Sequence, residues 1–87
     1  MYSKEFTIEN SIGLHARPAT RFIQKANEFK SNINIERGTR VVNSKSLLGV
    51  LSLGICCGAT IKIVADGCDE KEAVEALGEM ILNRFED

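Results

Sequence analysis

The sequence predicts an α+β fold: an open-faced two-layer sandwich in which a four-stranded antiparallel sheet is covered on one face by three helices, in the order β-α-β-β-α-β-α. Three observations carry this. Short stretches alternate apolar and polar residues, as in Phe6 and Ile8, Ile33 and Ile35, and Ile61 and Ile63. Such one-sided alternation belongs to strands with one face buried and one in water, which favours antiparallel pairing. Longer stretches carry apolar residues at helical spacing instead, and these must bury their stripe against the sheet. The chain has 87 residues, room for one core and therefore one domain spanning 1–87.

Taken in order, residues 2–9 read as the first strand, with Phe6 and Ile8 on its buried side. A loop runs from Asn10 to Gly13. Ala19, Phe22, Ile23, Ala26 and Phe29 then recur at helical spacing, predicting a helix over 16–29 with Arg21, Lys25 and Glu28 towards water. Asn32 to Glu36 alternates again. Arg37-Gly38-Thr39 reads as a tight turn with Gly38 taking the awkward dihedral, and Arg40 to Asn43 returns as the third strand. Leu47, Val50 and Leu51 fit the buried stripe of a short helix, with Ser46 as N-cap and Gly54 as its stop. Leu48 then points partly away from the core. Cys56-Cys57-Gly58 reads as loop, Thr60 to Ala65 as the fourth strand, and Asp66-Gly67 as a turn. Asp69 caps a last helix, with Glu72 three residues on and acidic residues suiting its positive end. Val74, Leu77 and Ile81, supported by Ala73 and Met80, form its buried face to about residue 84.

Apolar content of 44%, charged content of 26% and a net charge of −1 are ordinary for a globular protein. No global basic field is available for nucleic acid or an anionic membrane. No apolar run is long enough to span a bilayer, and the first residues lack the apolar core of a signal peptide, so a cytoplasmic location is expected. Three cysteines, Cys56, Cys57 and Cys68, without an export signal argue against a disulfide framework. The absence of C-x-x-C spacing argues against a metal site. These thiols read as small buried or half-buried side chains.

The stretch Ile12-Gly13-Leu14-His15-Ala16-Arg17-Pro18-Ala19-Thr20 holds the only histidine and the only proline. Pro18 suits the first turn of a helix, where its missing N–H is no loss. His15 therefore falls at the mouth of the first helix, where unpaired N–H groups carry partial positive charge. Arg17 adds a full charge two residues later. A nucleophilic imidazole, a cation and amide donors together suit a phosphoryl group. The same positive surroundings disfavour imidazolium and leave a ring nitrogen free to attack. On spacing alone, a histidine at a helix start is more often a plain surface or capping residue.

Gly13-Leu14-His15-Ala16-Arg17-Pro18-Ala19 resembles the active-site signature of the HPr family, the histidine-containing phosphocarriers of the bacterial phosphoenolpyruvate–sugar phosphotransferase system. Asn43-Ser44-Lys45-Ser46-Leu47-Leu48-Gly49-Val50-Leu51-Ser52-Leu53-Gly54 resembles the regulatory serine segment of the same family. The resemblance spans essentially the whole chain and agrees with the element order. It implies that His15 takes a phosphoryl group on its δ nitrogen from phosphorylated enzyme I, and passes it to enzyme IIA domains for coupled sugar uptake. Arg17 would help neutralise that group. The family works as a carrier rather than as an enzyme, and no cofactor is implied.

The resemblance makes Ser46 the residue phosphorylated by the HPr kinase/phosphorylase. The added charge of about −1.5 to −2 would weaken docking of acidic partners and favour a catabolite-control transcription regulator. On the residues alone, Ser46 is a plain N-cap. Leu47, Leu48 and Leu51 match the family's docking patch, with Arg17, Arg21 and Lys45 as a basic rim; the alternative is that these leucines are simply core. A shuttle showing one face to several partners is expected to be a monomer. Ile12 departs from the family pattern, which has a small polar residue near the phosphoryl group. The Cys56-Cys57 pair is also unusual, and the residues offer no physical account of it.

Two other function classes predict different behaviour. A regulatory protein of the same fold would act only through Ser46, and such paralogues usually lack the histidine that this chain keeps. A nucleic-acid or metal-binding domain is disfavoured by the near-neutral charge, the absence of an aromatic platform and the lack of ligand spacing.

Overall fold

The computed structural model describes residues 1–8, 16–54 and 58–82, with the backbone alone for 16–18. The elements are β1 (Tyr2–Thr7), α1 (Ala16–Ala26), β2 (Asn32–Arg37), β3 (Arg40–Asn43), α2 (Leu47–Ser52), β4 (Thr60–Asp66) and α3 (Glu70–Leu82). The strands form one sheet in the order β1-β4-β2-β3, and every neighbouring pair is antiparallel. The predicted α+β open-faced sandwich is therefore the observed one.

The alternation sets which face is covered. Ile33, Ile35, Ile61, Ile63 and Ala65 are buried on the helix side, where they meet Phe22, Ala26, Val74, Leu77 and Ile81 in one cluster. The intervening residues face away. The register there sets Lys62 between Glu5 and Glu36 on the uncovered face, an arrangement in which each neighbour carries the opposite charge. Among the described residues, no helix is long and apolar enough to cross a membrane.

β1 is fastened to α3 at three points. The Tyr2 hydroxyl donates to Glu75 at 3.3 Å, and the Lys4 ammonium meets the same carboxylate at 3.3 Å. The Phe6 ring lies directly on Gly78, where a Cβ would overlap it. Gly78 thus lets helix and strand approach closely despite its poor helix propensity.

Several boundaries differ from the expectation. α1 stops at Ala26, three residues early. The Asn27 side chain and main-chain N–H both donate to the Ile23 carbonyl, and the next two amides make i→i−3 bonds to Lys25 and Ala26. This tightening ends the helix, so Phe29 packs half-buried from a turn. In α2 the buried residue is Val50, joined by Leu53 just beyond the helix, whereas Leu47 is 41% exposed. Gly38 at φ 62° and Gly54 at φ 59° take the left-handed conformation that both predicted turns require. Glu9, Cys56, Cys57 and the extension of the last helix beyond residue 82 lie outside the described residues.

Asp69 has another role than the predicted cap. Its main-chain carbonyl accepts from Ala73 N, as an N-cap should. Its carboxylate instead crosses to the start of β2, accepting from Lys30 N at 2.8 Å, Ser31 N at 2.9 Å and the Ser31 hydroxyl. Ser31 is buried and its donors need partners. Gly67 makes this contact possible, because a Cβ there would lie 2.7 Å from Ser31 Cα. The Ser31 hydroxyl, followed by the Lys30 N–H, holds the Asp69 carboxyl below its ordinary value. A carboxyl lowered on folding stabilises the fold above its unfolded value of about 3.9 and loses that contribution as pH falls through the folded value. Thermal melts between pH 7 and pH 2.5 should show this acid-side loss. Asp69→Asn should flatten it and lower Tm at neutral pH; an unchanged profile would rule out this role.

Candidate functional site

α2 begins as its sequence demands. Ser46 sits at the N-cap with extended backbone (φ −106°, ψ 115°), and its Oγ accepts from Gly49 N at 3.2 Å. The Ser46 carbonyl accepts from Val50 N at 2.9 Å. The approach is shaped by Asn43, whose carbonyl accepts from Ser46 N and whose side chain accepts from Lys45 N. Ser46 itself is exposed, so its hydroxyl combines an N-cap geometry with access from solvent.

The next residues set an apolar surface beside it. Leu48 is 82% exposed and Leu47 is partly so, while Leu51 is half-buried against the core. Leu47 and Leu48 are therefore not core residues, whereas Leu51 packs partly against the core. Single exposed leucines are ordinary; two consecutive ones next to an accessible N-cap serine make a compact apolar spot with one nucleophilic oxygen.

The basic residues are arranged less simply. Arg21 is half-buried on α1. The Lys45 ammonium donates to the Phe29 carbonyl at 2.7 Å, so it is committed to the turn after α1, and joining a basic rim would cost that bond. The backbone at Arg17 lies in the first turn of α1. Its side chain, like His15, Ile12 and the rest of the predicted phosphoryl-accepting loop, lies outside the described residues. What the structure does bring together is the two helices: α1, which begins at the residue after His15, packs on α2, which begins at the residue after Ser46.

Sequence reasoning missed two residues, Arg37 and Arg40. They flank the two-residue Gly38–Thr39 loop of the β2–β3 hairpin and reach the far end of α2. No local signal marks them, because a cation on either side of a turn is also what a solvated hairpin tip contains.

The family model for the PTS HPr component phosphorylation site matches residues 2–83. The chain belongs to the HPr family. An HPr-like protein, Crh, from Halalkalibacterium halodurans is 47% identical over 77 residues, covering 88% of this chain and 92% of that protein. Among solved structures, HPr-C-His from Thermoanaerobacter tengcongensis superposes with a TM-score of 0.96 at 43% identity, over 100% of this chain and 99% of the other. Crh from Bacillus subtilis, crystallised as a dimer with a swapping domain, gives a TM-score of 0.77 at 36% identity over 97% of each chain. The HPr family comprises phosphocarriers of the phosphotransferase system rather than enzymes proper. Its relatives here thus include both HPr itself and the HPr-like Crh, and the fold is common to them.

Proposed function

We propose that residues 1–87 form a single HPr domain that carries phosphoryl groups on His15. In the transfer, the P–N bond of phosphorylated enzyme I breaks as a P–N bond to the δ nitrogen of His15 forms, and the enzyme I imidazole leaves. The group then passes to an enzyme IIA domain for coupled sugar uptake in the cytoplasm, and His15 is regenerated. Arg17 balances the charge of the phosphoryl group. Leu47, Leu48 and Leu51 form the docking patch, with Arg21 and Lys45 beside it.

The observation that carries this reading is the presence of His15 immediately before α1, with Arg17 and Pro18 in the first turn of that helix. Unpaired first-turn amides and the helix dipole favour an anion there. The patch lacks aromatic residues, which suits weak and fast docking by a monomeric shuttle.

Ser46 adds regulation. An accessible hydroxyl at a helix N-cap accepts a phosphate without disrupting the helix, because amides and dipole meet the new charge. A kinase/phosphorylase would place it there, altering affinity for enzyme I and for a catabolite-control regulator.

A second reading, regulation through Ser46 alone, is favoured by the 47% identity to Crh. Incubation with enzyme I and phosphoenolpyruvate, followed by intact-mass and peptide mapping, separates the two. The carrier predicts one acid-labile phosphoryl group on His15. Absence of transfer to a folded sample, with ATP-dependent labelling of Ser46, would make the regulatory reading the correct one.

A further inference from the structure

The end of α2 is held from outside the helix. Arg37 Nη1 donates to the Leu53 carbonyl at 2.6 Å and to the Gly54 carbonyl at 3.0 Å. Arg40 Nη1 donates to the Ser52 carbonyl at 2.7 Å, and its Nη2 to Ser52 Oγ at 3.1 Å. Three consecutive carbonyls therefore each receive a guanidinium donor. The last carbonyls of a helix lack intrahelical partners and favour nearby cations. α2 has no basic residue in its own last turn. It is also only six residues long, too short to persist without tertiary support.

The clamp connects to the other end of the helix. Ser52 Oγ, which accepts from Arg40, donates to the Gly49 carbonyl at 2.6 Å. Gly49 N in turn donates to Ser46 Oγ at 3.2 Å. A run of hydrogen bonds thus leads from Arg40 through Ser52 and Gly49 to the Ser46 hydroxyl.

We propose that Arg37 and Arg40 are positioning residues for Ser46: by clamping the carbonyl end of α2 from the hairpin tip, they keep the helix formed and its N-cap hydroxyl set for phosphorylation. This rests on the reading of Ser46 as a phosphorylation site. In that step Ser46 Oγ attacks the γ-phosphorus of ATP held by the kinase, ADP leaves, and the hydroxyl proton passes to a base of the kinase. Loosening α2 would lower the fraction of molecules that present Ser46 correctly, and the apparent affinity for the kinase falls with that fraction. Phosphoryl transfer to His15 does not use the N-cap hydroxyl, so its chemical step should be spared, while docking through Leu47, Leu48 and Leu51 on α2 should weaken as the helix loosens.

The test uses the full chain with Arg37→Gln and Arg40→Gln, singly and together. Amide exchange of Leu47 to Leu53 should accelerate about tenfold in the double variant, with β1, β4 and α3 little changed. The KM for Ser46 phosphorylation by HPr kinase and ATP should rise as the reciprocal of the fraction of molecules that keep α2 formed, with kcat less affected and enzyme I-dependent labelling of His15 still reaching completion. Arg37→Lys with Arg40→Lys should recover much of the loss, since an ammonium still donates to a carbonyl. Unchanged α2 exchange, a measurable fall in the population of formed α2 without a rise in KM, or equal acceleration throughout the sheet would each overturn the proposal. The exposed Arg40→Gln single variant gives the same readouts should the double variant fail to fold. If the kinase fails to label the unsubstituted chain, the reading of Ser46 itself has failed, and no variant is needed to see it.

Discussion

His15→Ala is expected to reduce phosphoenolpyruvate-dependent labelling to background. The chain contains one histidine, so no second imidazole can accept a phosphoryl group from enzyme I. Helical content by circular dichroism should be unchanged, because the substitution precedes α1 and removes none of the core cluster formed by Phe22, Ile33, Ile63 and Leu77. ATP-dependent labelling of Ser46 should persist, which shows that the variant still docks a partner. Acid-labile phosphoryl incorporation by the folded variant would overturn the carrier assignment.

The largest effect on stability is expected at Phe22. It is the largest fully buried side chain among the described residues, at 0% exposure, and it lies on the face of α1 that meets the sheet. Truncating a buried phenylalanine to alanine removes its transfer free energy and leaves a cavity, at a cost of about 3–5 kcal/mol. Against the ~5–15 kcal/mol by which a domain is stable, that is a large share. Tm should fall by at least about 12 °C in a chain of this length. Leu48→Ser is the matched comparison: at 82% exposure it should shift stability by no more than about 0.5 kcal/mol. Denaturant melts of the two variants decide the matter. A loss below about 1.5 kcal/mol for Phe22→Ala would mean that α1 is not anchored as described.

Two features of the candidate site, the Ser46 N-cap and the outward Leu48, are legible because their signals are local. Ser46 as an N-cap follows from a hydroxyl three residues before an available N–H, and the structure has that bond. Leu48 as an outward residue follows from helical geometry once Val50 is known to be buried. Leu47 was harder. Spacing allowed it on the same stripe as Val50 and Leu51, and the six-residue α2 is short enough that Leu53, beyond its end, takes the core position instead. Lys45 looked like a rim cation because nothing in its neighbourhood shows that the Phe29 carbonyl, 16 residues away, would receive it.

The sequence by itself determined the element types, their order and which side of each strand is buried. Those properties follow from periods of two and 3.6 residues and from turn-forming glycines at positions 38 and 54, all of which act between near neighbours. Only the tertiary structure decided that Asp69 ties α3 to Ser31, that Gly78 seats Phe6, and that Arg37 and Arg40 clamp α2. Each of these joins groups far apart in the chain to a buried donor, an unpaired carbonyl or a close backbone approach. Such needs arise only when the layers are packed, because only then are polar groups removed from water and required to find partners within the fold.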